Sequence, residues 1–94
     1  MKTIYKYPLH GGPGDSIVIE MPRGAVVKHF GAQGGTPTIW AEVNPRESPT
    51  GRRFMVIGTG HKIPTNGVWV YRGTMFERGP WGELVWHLYE GPES

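Results

Sequence analysis

Residues 36–43, Thr-Pro-Thr-Ile-Trp-Ala-Glu-Val, decide the fold class. Ile39, Ala41 and Val43 alternate with Thr38, Trp40 and Glu42, the two-residue period of a strand with one face turned to a core. Gly31-Ala32-Gln33-Gly34-Gly35 precedes this run and Asn44-Pro45-Arg46-Glu47-Ser48-Pro49-Thr50-Gly51 follows it. Turn signals recur at this spacing along the whole chain and leave no room for a long helix, which is the all-β signature.

The same alternation, followed outward, predicts six further strands: Thr3–Tyr7, Ser16–Met21, Ala25–Phe30, Arg52–Ile57, Val68–Phe76 and Leu84–Glu90. Pro8 and the His10-Gly11-Gly12-Pro13-Gly14 loop stop the first by removing pairing donors. Pro22-Arg23-Gly24 predicts a hairpin between the second and third strands, and residues 77–82 (ERGPWG) predict another between the last two. Residues 44–51 are expected to form an exposed, mobile loop rather than a domain boundary, residues 58–66 a further loop, and residues 91–94 a frayed tail. The expectation is one all-β domain over residues 1–94 with about seven short antiparallel strands. A sandwich and a small barrel both satisfy it, because choosing between them requires the register.

Composition narrows the function classes. Fifteen glycines and nine prolines would suit a disordered chain, but four tryptophans and an aromatic content of 12% supply the apolar surface that a folded core needs. There is no cysteine, which excludes disulfides, thiolate metal sites and cysteine nucleophiles and favours an intracellular setting. The opening Met-Lys-Thr-Ile-Tyr-Lys-Tyr-Pro-Leu lacks the continuous apolar run of a secretory signal, and no stretch approaches the ~20 apolar residues of a membrane span. A net charge of +2 favours anionic partners without reaching the level of a duplex-DNA binder. A domain this small buries only about 60–65% of its unfolded surface, so a homo-oligomer is expected.

Binding chemistry is easier to find than catalytic chemistry. Trp40 falls on the polar face of its strand, where it serves either an interface or a base-stacking platform, the latter worth ~1–3 kcal/mol per base. Trp69 and Tyr71 share one face of the sixth strand, and Val68, Val70 and Arg72 the other. Gly58-Thr59-Gly60-His61-Lys62-Ile63-Pro64 offers backbone N–H groups, the Thr59 hydroxyl, His61 and the Lys62 cation to a phosphate, since glycine permits close approach. It is not a P-loop, because it lacks the G-x-x-x-x-G-K-[ST] spacing and a following helix. Arg53 and Arg72 add guanidinium forks suited to phosphate oxygens.

The four histidines, His10, His29, His61 and His87, show no metal-ligand spacing, and no cofactor is expected. With Asp15 as the one aspartate, no carboxylate pair suggests acid–base work, and no serine sits in a G-x-S-x-G elbow. The chain is therefore expected not to be an enzyme.

The opening MKTIYKYPL, the stretch IEMPRGAVVKHFGAQGGTPTIWAEVNP, the loop IGTGHKIP and the ending YRGTMF…LVWHLYE resemble a family of short, functionally uncharacterised proteins encoded by bacteriophages and prophages. That resemblance, which covers most of the chain, implies action in the cytoplasm of an infected bacterial host. In size and character the chain also resembles the oligomeric phage proteins that sequester nucleotide immune signals. The leading expectation is thus a homo-oligomeric binder of a cyclic or phosphorylated nucleotide, using Trp40, Trp69 and Tyr71 for stacking and Arg53, Thr59, His61, Lys62 and Arg72 for phosphates. The alternatives are a protein-interaction or virion-associated β module, in which the same aromatics and arginines serve an interface, and a single-stranded nucleic-acid binder.

Overall fold

A computed structural model describes residues 1–92. The described residues form seven strands: β1 (Thr3–Pro8), β2 (Ser16–Pro22), β3 (Val26–Gln33), β4 (Thr36–Val43), β5 (Pro49–Gly58), β6 (Val70–Gly79) and β7 (Gly82–Glu90). All pairings are antiparallel and fall into two sheets, one ordered β1-β4-β3 and the other β2-β5-β7-β6. The two separate sheets make a sandwich, not a closed barrel.

The alternation in residues 36–43 places the core as expected. Ile39, Ala41 and Val43 are buried on the inner face of β4, against Phe54 and Val56 of β5, Leu88 of β7 and Met75 of β6. Met21 and Phe30, also fully buried, complete the layer between the sheets. Each of these side chains other than Ala41 contributes about 1.5–3 kcal/mol when taken from water.

Several boundaries and one connection differ from the sequence reading; among them, β3 runs on to Gln33 through residues read as loop. The Pro22–Gly24 turn forms, with Ala25 N–H donating to the Pro22 carbonyl (3.1 Å) and Gly24 at φ 84°, but it does not close a hairpin. It carries the chain across the sandwich, so β2 pairs with β5 and β3 with β4. A turn signal specifies a reversal, not whether the next strand stays in the same sheet. Pro49, Thr50 and Gly51 belong to β5, paired with Pro22, Met21 and Glu20, which shortens the polar loop to residues 44–48. The sixth strand begins at Val70 rather than Val68, and its hairpin with β7 tightens to the two-residue turn Pro80–Trp81, because Gly79 pairs with Gly82. At residue 91 the chain is still anchored, its N–H donating to the Arg53 carbonyl at 2.9 Å. Residues 93–94 of the expected tail lie outside the described residues.

A bulge between Tyr71 and Gly73 interrupts the β6–β7 register. Beside it, Gly73 lies so close to β3 that a Cβ there would sit 3.2 Å from the Phe30 Cβ, so glycine eases the close approach of the two sheets at this point.

An ion cluster ties this edge together. Arg52 of β5 donates from Nε and Nη2 to the two carboxylate oxygens of Glu90 (2.6 and 2.9 Å) and from Nη1 to the Ala25 carbonyl (2.5 Å). Arg72 donates from Nε to the same carboxylate at 2.9 Å. Burial pushes the Glu90 carboxyl up, but the hydrogen bonds and charges of Arg52 and Arg72 outweigh it and hold it below the ordinary value of 4.5. A carboxyl whose pKa is depressed by folding stabilises the fold fully above its unfolded value, and that contribution is lost as pH falls through the folded value. Urea unfolding followed by tryptophan fluorescence should therefore show stability declining as pH drops below about 4.5. Glu90→Gln should cost about 2–3 kcal/mol at pH 7 and flatten that acid limb. An unchanged acid limb in the variant would remove Glu90 from the explanation.

Candidate functional site

The outer face of the four-stranded sheet carries the candidate site. Register puts Ile57 beside His87, Met55 beside Tyr89, Tyr71 beside Tyr89 and Thr74 beside His87. These side chains alternate with the buried Phe54, Val56 and Leu88 and so point away from the core. Tyr71 and Thr74 are three residues apart, an odd spacing that ordinary alternation would send to opposite faces. The bulge inserts one residue and returns both to the outer face.

Four polar side chains form a continuous hydrogen-bonded chain there. Thr59 Oγ1 lies 2.8 Å from His87 Nε2, His87 Nδ1 lies 3.0 Å from Thr74 Oγ1, and Thr74 Oγ1 lies 2.5 Å from the Tyr71 hydroxyl. With a neutral imidazole, protons can run along this chain in either sense without leaving a donor facing a donor. The Tyr71 ring meets Tyr89 edge-on, with centroids 5.8 Å apart and planes at 68°.

Residues 59–63 fold back over this face. Ile57 points outward yet is only 4% exposed. Thr59 N–H donates to the Val85 carbonyl (3.3 Å) and His61 N–H to the Gly58 carbonyl (3.0 Å), which fixes the first turn of the loop. Gly58 leaves room there, because a Cβ would crowd both His61 Nδ1 and the Trp86 ring at 3.1 Å and oblige them to shift. A cleft of about 210 Å³ opens between the loop and the sheet, floored by Ile57 and walled by Thr59, His61, Ile63, His87 and Tyr89. No carboxylate lines it. On the other side of the Gly58–His61 turn a second cleft, about 400 Å³, is bordered by Thr59, His61, Leu84 and Glu83.

The residues singled out by sequence distribute unevenly. Thr59 and His61 line the first cleft, Tyr71 belongs to the chain that backs it, and Lys62 extends exposed from the same loop. Arg53 and Trp69 reach the same face near its far end. Arg53 donates from Nη1 to Ser16 Oγ at 2.8 Å, while Trp69 donates to Asn66 Oδ1 at 3.3 Å and lays its ring across Gly91. Arg53 and Thr59 stand six positions apart, about 20 Å along an extended strand. Trp40 is elsewhere: it occupies the outer face of the three-stranded sheet, on the opposite side of the sandwich, with its ring 5.6 Å from His29. Arg72 is turned to Glu90.

Sequence reading missed Thr74 and His87. The alternation Val85-Trp86-His87-Leu88-Tyr89 was available to place His87 and Tyr89 together, whereas Thr74 needed the bulge. Among the described residues no group of three or more His, Cys, Asp or Glu converges on a point that would suit a metal, and no helix is long and apolar enough to cross a membrane.

The chain belongs to the family described as a domain of unknown function (DUF7352), whose family model matches residues 1–94. No curated protein and no solved structure matches it.

If the four polar side chains act as one unit, removing members should be non-additive. Thr74→Val, which leaves His87 Nδ1 and the Tyr71 hydroxyl without their shared partner, should cost about 1–2 kcal/mol. Combining it with Tyr71→Phe should cost less than the sum by about 0.5–1 kcal/mol. Chemical unfolding of the two single variants and the double variant checks this, and strict additivity would dissolve the chain into independent contacts.

Proposed function

We propose that this protein is a non-catalytic binding module that captures a small anionic ligand carrying a planar ring, of the cyclic or phosphorylated nucleotide class, in the cleft between residues 59–63 and the outer face of β5 and β7. The observation that carries this reading is the composition of the cleft. It combines an apolar floor, Ile57, with the Tyr89 ring, the Thr59 hydroxyl and the His61 and His87 imidazoles, and it has no acid to repel an anion. Lys62, exposed on the same loop, adds a cation at the rim.

Binding rather than turnover is favoured by what stands behind the imidazole. His87 is backed by the Thr74 hydroxyl, not by a carboxylate that would stabilise an imidazolium, so the chain orients the Thr59 hydroxyl more than it activates it. A fixed hydroxyl next to imidazole donors suits recognition of phosphate oxygens, and the tyrosine ring suits a base. The biological setting we propose is sequestration of a nucleotide signal in the cytoplasm of an infected bacterial host, where affinity and abundance matter and turnover does not. Arg53 and Trp69 form an outer subsite on the same face, within reach of a ligand longer than a mononucleotide.

Isothermal titration calorimetry with a panel of mononucleotides and cyclic di- and trinucleotides tests the proposal. One class should bind, with affinity falling as salt rises. His61→Ala and Lys62→Ala should each weaken binding about tenfold, equivalent to ~1.4 kcal/mol, whereas Trp40→Ala on the opposite side should leave it unchanged. Absence of heat and of thermal stabilisation across the panel would overturn the nucleotide reading.

A further inference from the structure

The outer face of the three-stranded sheet lies across the sandwich from the cleft and takes no part in ligand capture there. Register fixes what it displays. Lys6 of β1 and His29 of β3 pair with Trp40 of β4 from its two sides, and two residues along the strand Ile4 and Val26 pair with Glu42. Lys2 reaches Glu42 Oε2 at 3.6 Å and so belongs to the same face. The β3 register shifts between Val27 and His29, which makes Lys28 an extra residue. Because Val27 packs on the core and Phe30 is buried, Lys28 and His29 both turn outward.

This face holds the whole formal net charge of the chain. Lys2, Lys6 and Lys28 against Glu42 leave +2, and the charged residues elsewhere in the sequence cancel. The contact between Lys2 and Glu42 is a surface pair, with the lysine side chain 71% exposed, and holds Lys2 only weakly. Lys6 is exposed as well, yet its ammonium is placed: Nζ donates to Gln33 Oε1 at 2.8 Å. Since Lys6 pairs with Trp40 and Gln33 with Thr36, that bridge crosses β4 over Thr38, which is 1% exposed although it belongs to the outward row. An ammonium has three donors, so the bridge leaves two for another acceptor.

Trp40 stands half-buried at the centre, with a cation-bearing strand about 5 Å to either side. His29 is its one aromatic neighbour among the described residues, and with centroids 5.6 Å apart and planes at 44° the imidazole does not stack upon the indole. A Cβ on Gly31 would lie 2.7 Å from His29 Nε2, so the imidazole lies along β3 over Gly31. An aromatic ring between cations on an open sheet is the combination that holds single-stranded nucleic acid, the ring stacking a base and the cations meeting the phosphates beside it. We infer that this face binds a single strand of nucleic acid, with a base on Trp40 and successive phosphates on Lys6, Lys28 and Lys2. A duplex keeps its bases stacked on one another and leaves the indole unused, and +2 is short of the charge that a duplex binder carries. An acidic peptide offers the ring no base to stack, and a bilayer requires an aromatic that protrudes, whereas the sheet half-buries Trp40. The inference does not rest on nucleotide capture in the cleft, and the two activities can be lost separately.

Fluorescence anisotropy of short labelled homopolymers of deoxythymidine and of uridine, titrated with the full chain, is the test. At least one should bind, and the stronger of the two identifies the sugar that the face accepts. With three lysines on phosphates, log affinity should fall against log salt with a slope of about −2, roughly 15–20-fold between about 50 and 200 mM. Lys28→Ala should bring that slope to about −1.4. Trp40→Ala should weaken binding about tenfold, and Trp40→Phe, which keeps a ring, should lose less. Thermal melting verifies that the variants fold, and the salt slope of Lys28→Ala tests the inference even where Trp40→Ala does not. His61→Ala and Lys62→Ala, in the cleft, should bind the homopolymers as the wild type does. Absence of binding at the lower salt, equal affinity in a folded Trp40→Ala variant, or displacement of the strand by polyglutamate or anionic lipid vesicles as readily as by unlabelled homopolymer overturns the inference.

Discussion

One extra residue in β6 organises the region that matters most. The bulge between Tyr71 and Gly73 lets Gly73 approach Phe30 of β3, which brings the edges of the two sheets together. It also shifts the face register, so that Thr74 joins Tyr71 on the outer surface and completes the hydrogen bonds to His87. The displaced residue itself, Arg72, is left beside Glu90. Without the insertion, strict alternation would turn Thr74 into the core and Met75 out of it, at the cost of a buried hydroxyl and an exposed thioether.

The arginines show how charge is divided between fold and site. Glu90 is 12% exposed at its side chain, and removing a carboxylate from water to that extent is unfavourable alone. Bidentate hydrogen bonds from Arg52 and a third from Arg72 offset that penalty, and the Ala25 carbonyl satisfies the remaining Arg52 donor group that faces β3. Guanidinium planarity makes this geometry available to arginine and not to lysine. Two of the cations near β5 and β6 are therefore engaged with a carboxylate, whereas Lys62 stands exposed on the loop that borders the cleft.

Much of the architecture was legible because alternation is a local property. Ile39, Ala41 and Val43 marked a core face correctly, and seven antiparallel strands follow from the spacing of the turns. What the sequence withheld is non-local. The Pro22–Gly24 turn reads like a hairpin, but whether β3 returns beside β2 depends on which sheet can bury Phe30. Of the candidate site, the sequence reading singled out the loop, since Gly58-Thr59-Gly60-His61 announces close backbone approach, and Tyr71. The site was not legible in Thr74 or His87, whose contacts depend on a bulge and on pairing across 28 residues in the case of Thr59 and His87. Trp40 illustrates the converse limit: alternation identified its face, yet only sheet topology shows that this face lies opposite the cleft.

Strand β7 connects the candidate site to a further cleft, of about 260 Å³ and lined by Leu9, Val56 and Trp86 at the end of the sandwich, through the same alternation. His87 points outward to the chain with Thr59 and Thr74, while its neighbour Trp86 lines the apolar cleft at the end of the sandwich and Leu88 fills the core between them. Trp86 also meets the Gly58 backbone, where a Cβ would already crowd it at 3.1 Å. The turn that presents Thr59 and His61 therefore rests on a wall of the apolar cleft. In a domain this small a single packed ring is shared by the core and both clefts, and neither surface can be altered through Trp86 without reaching the other.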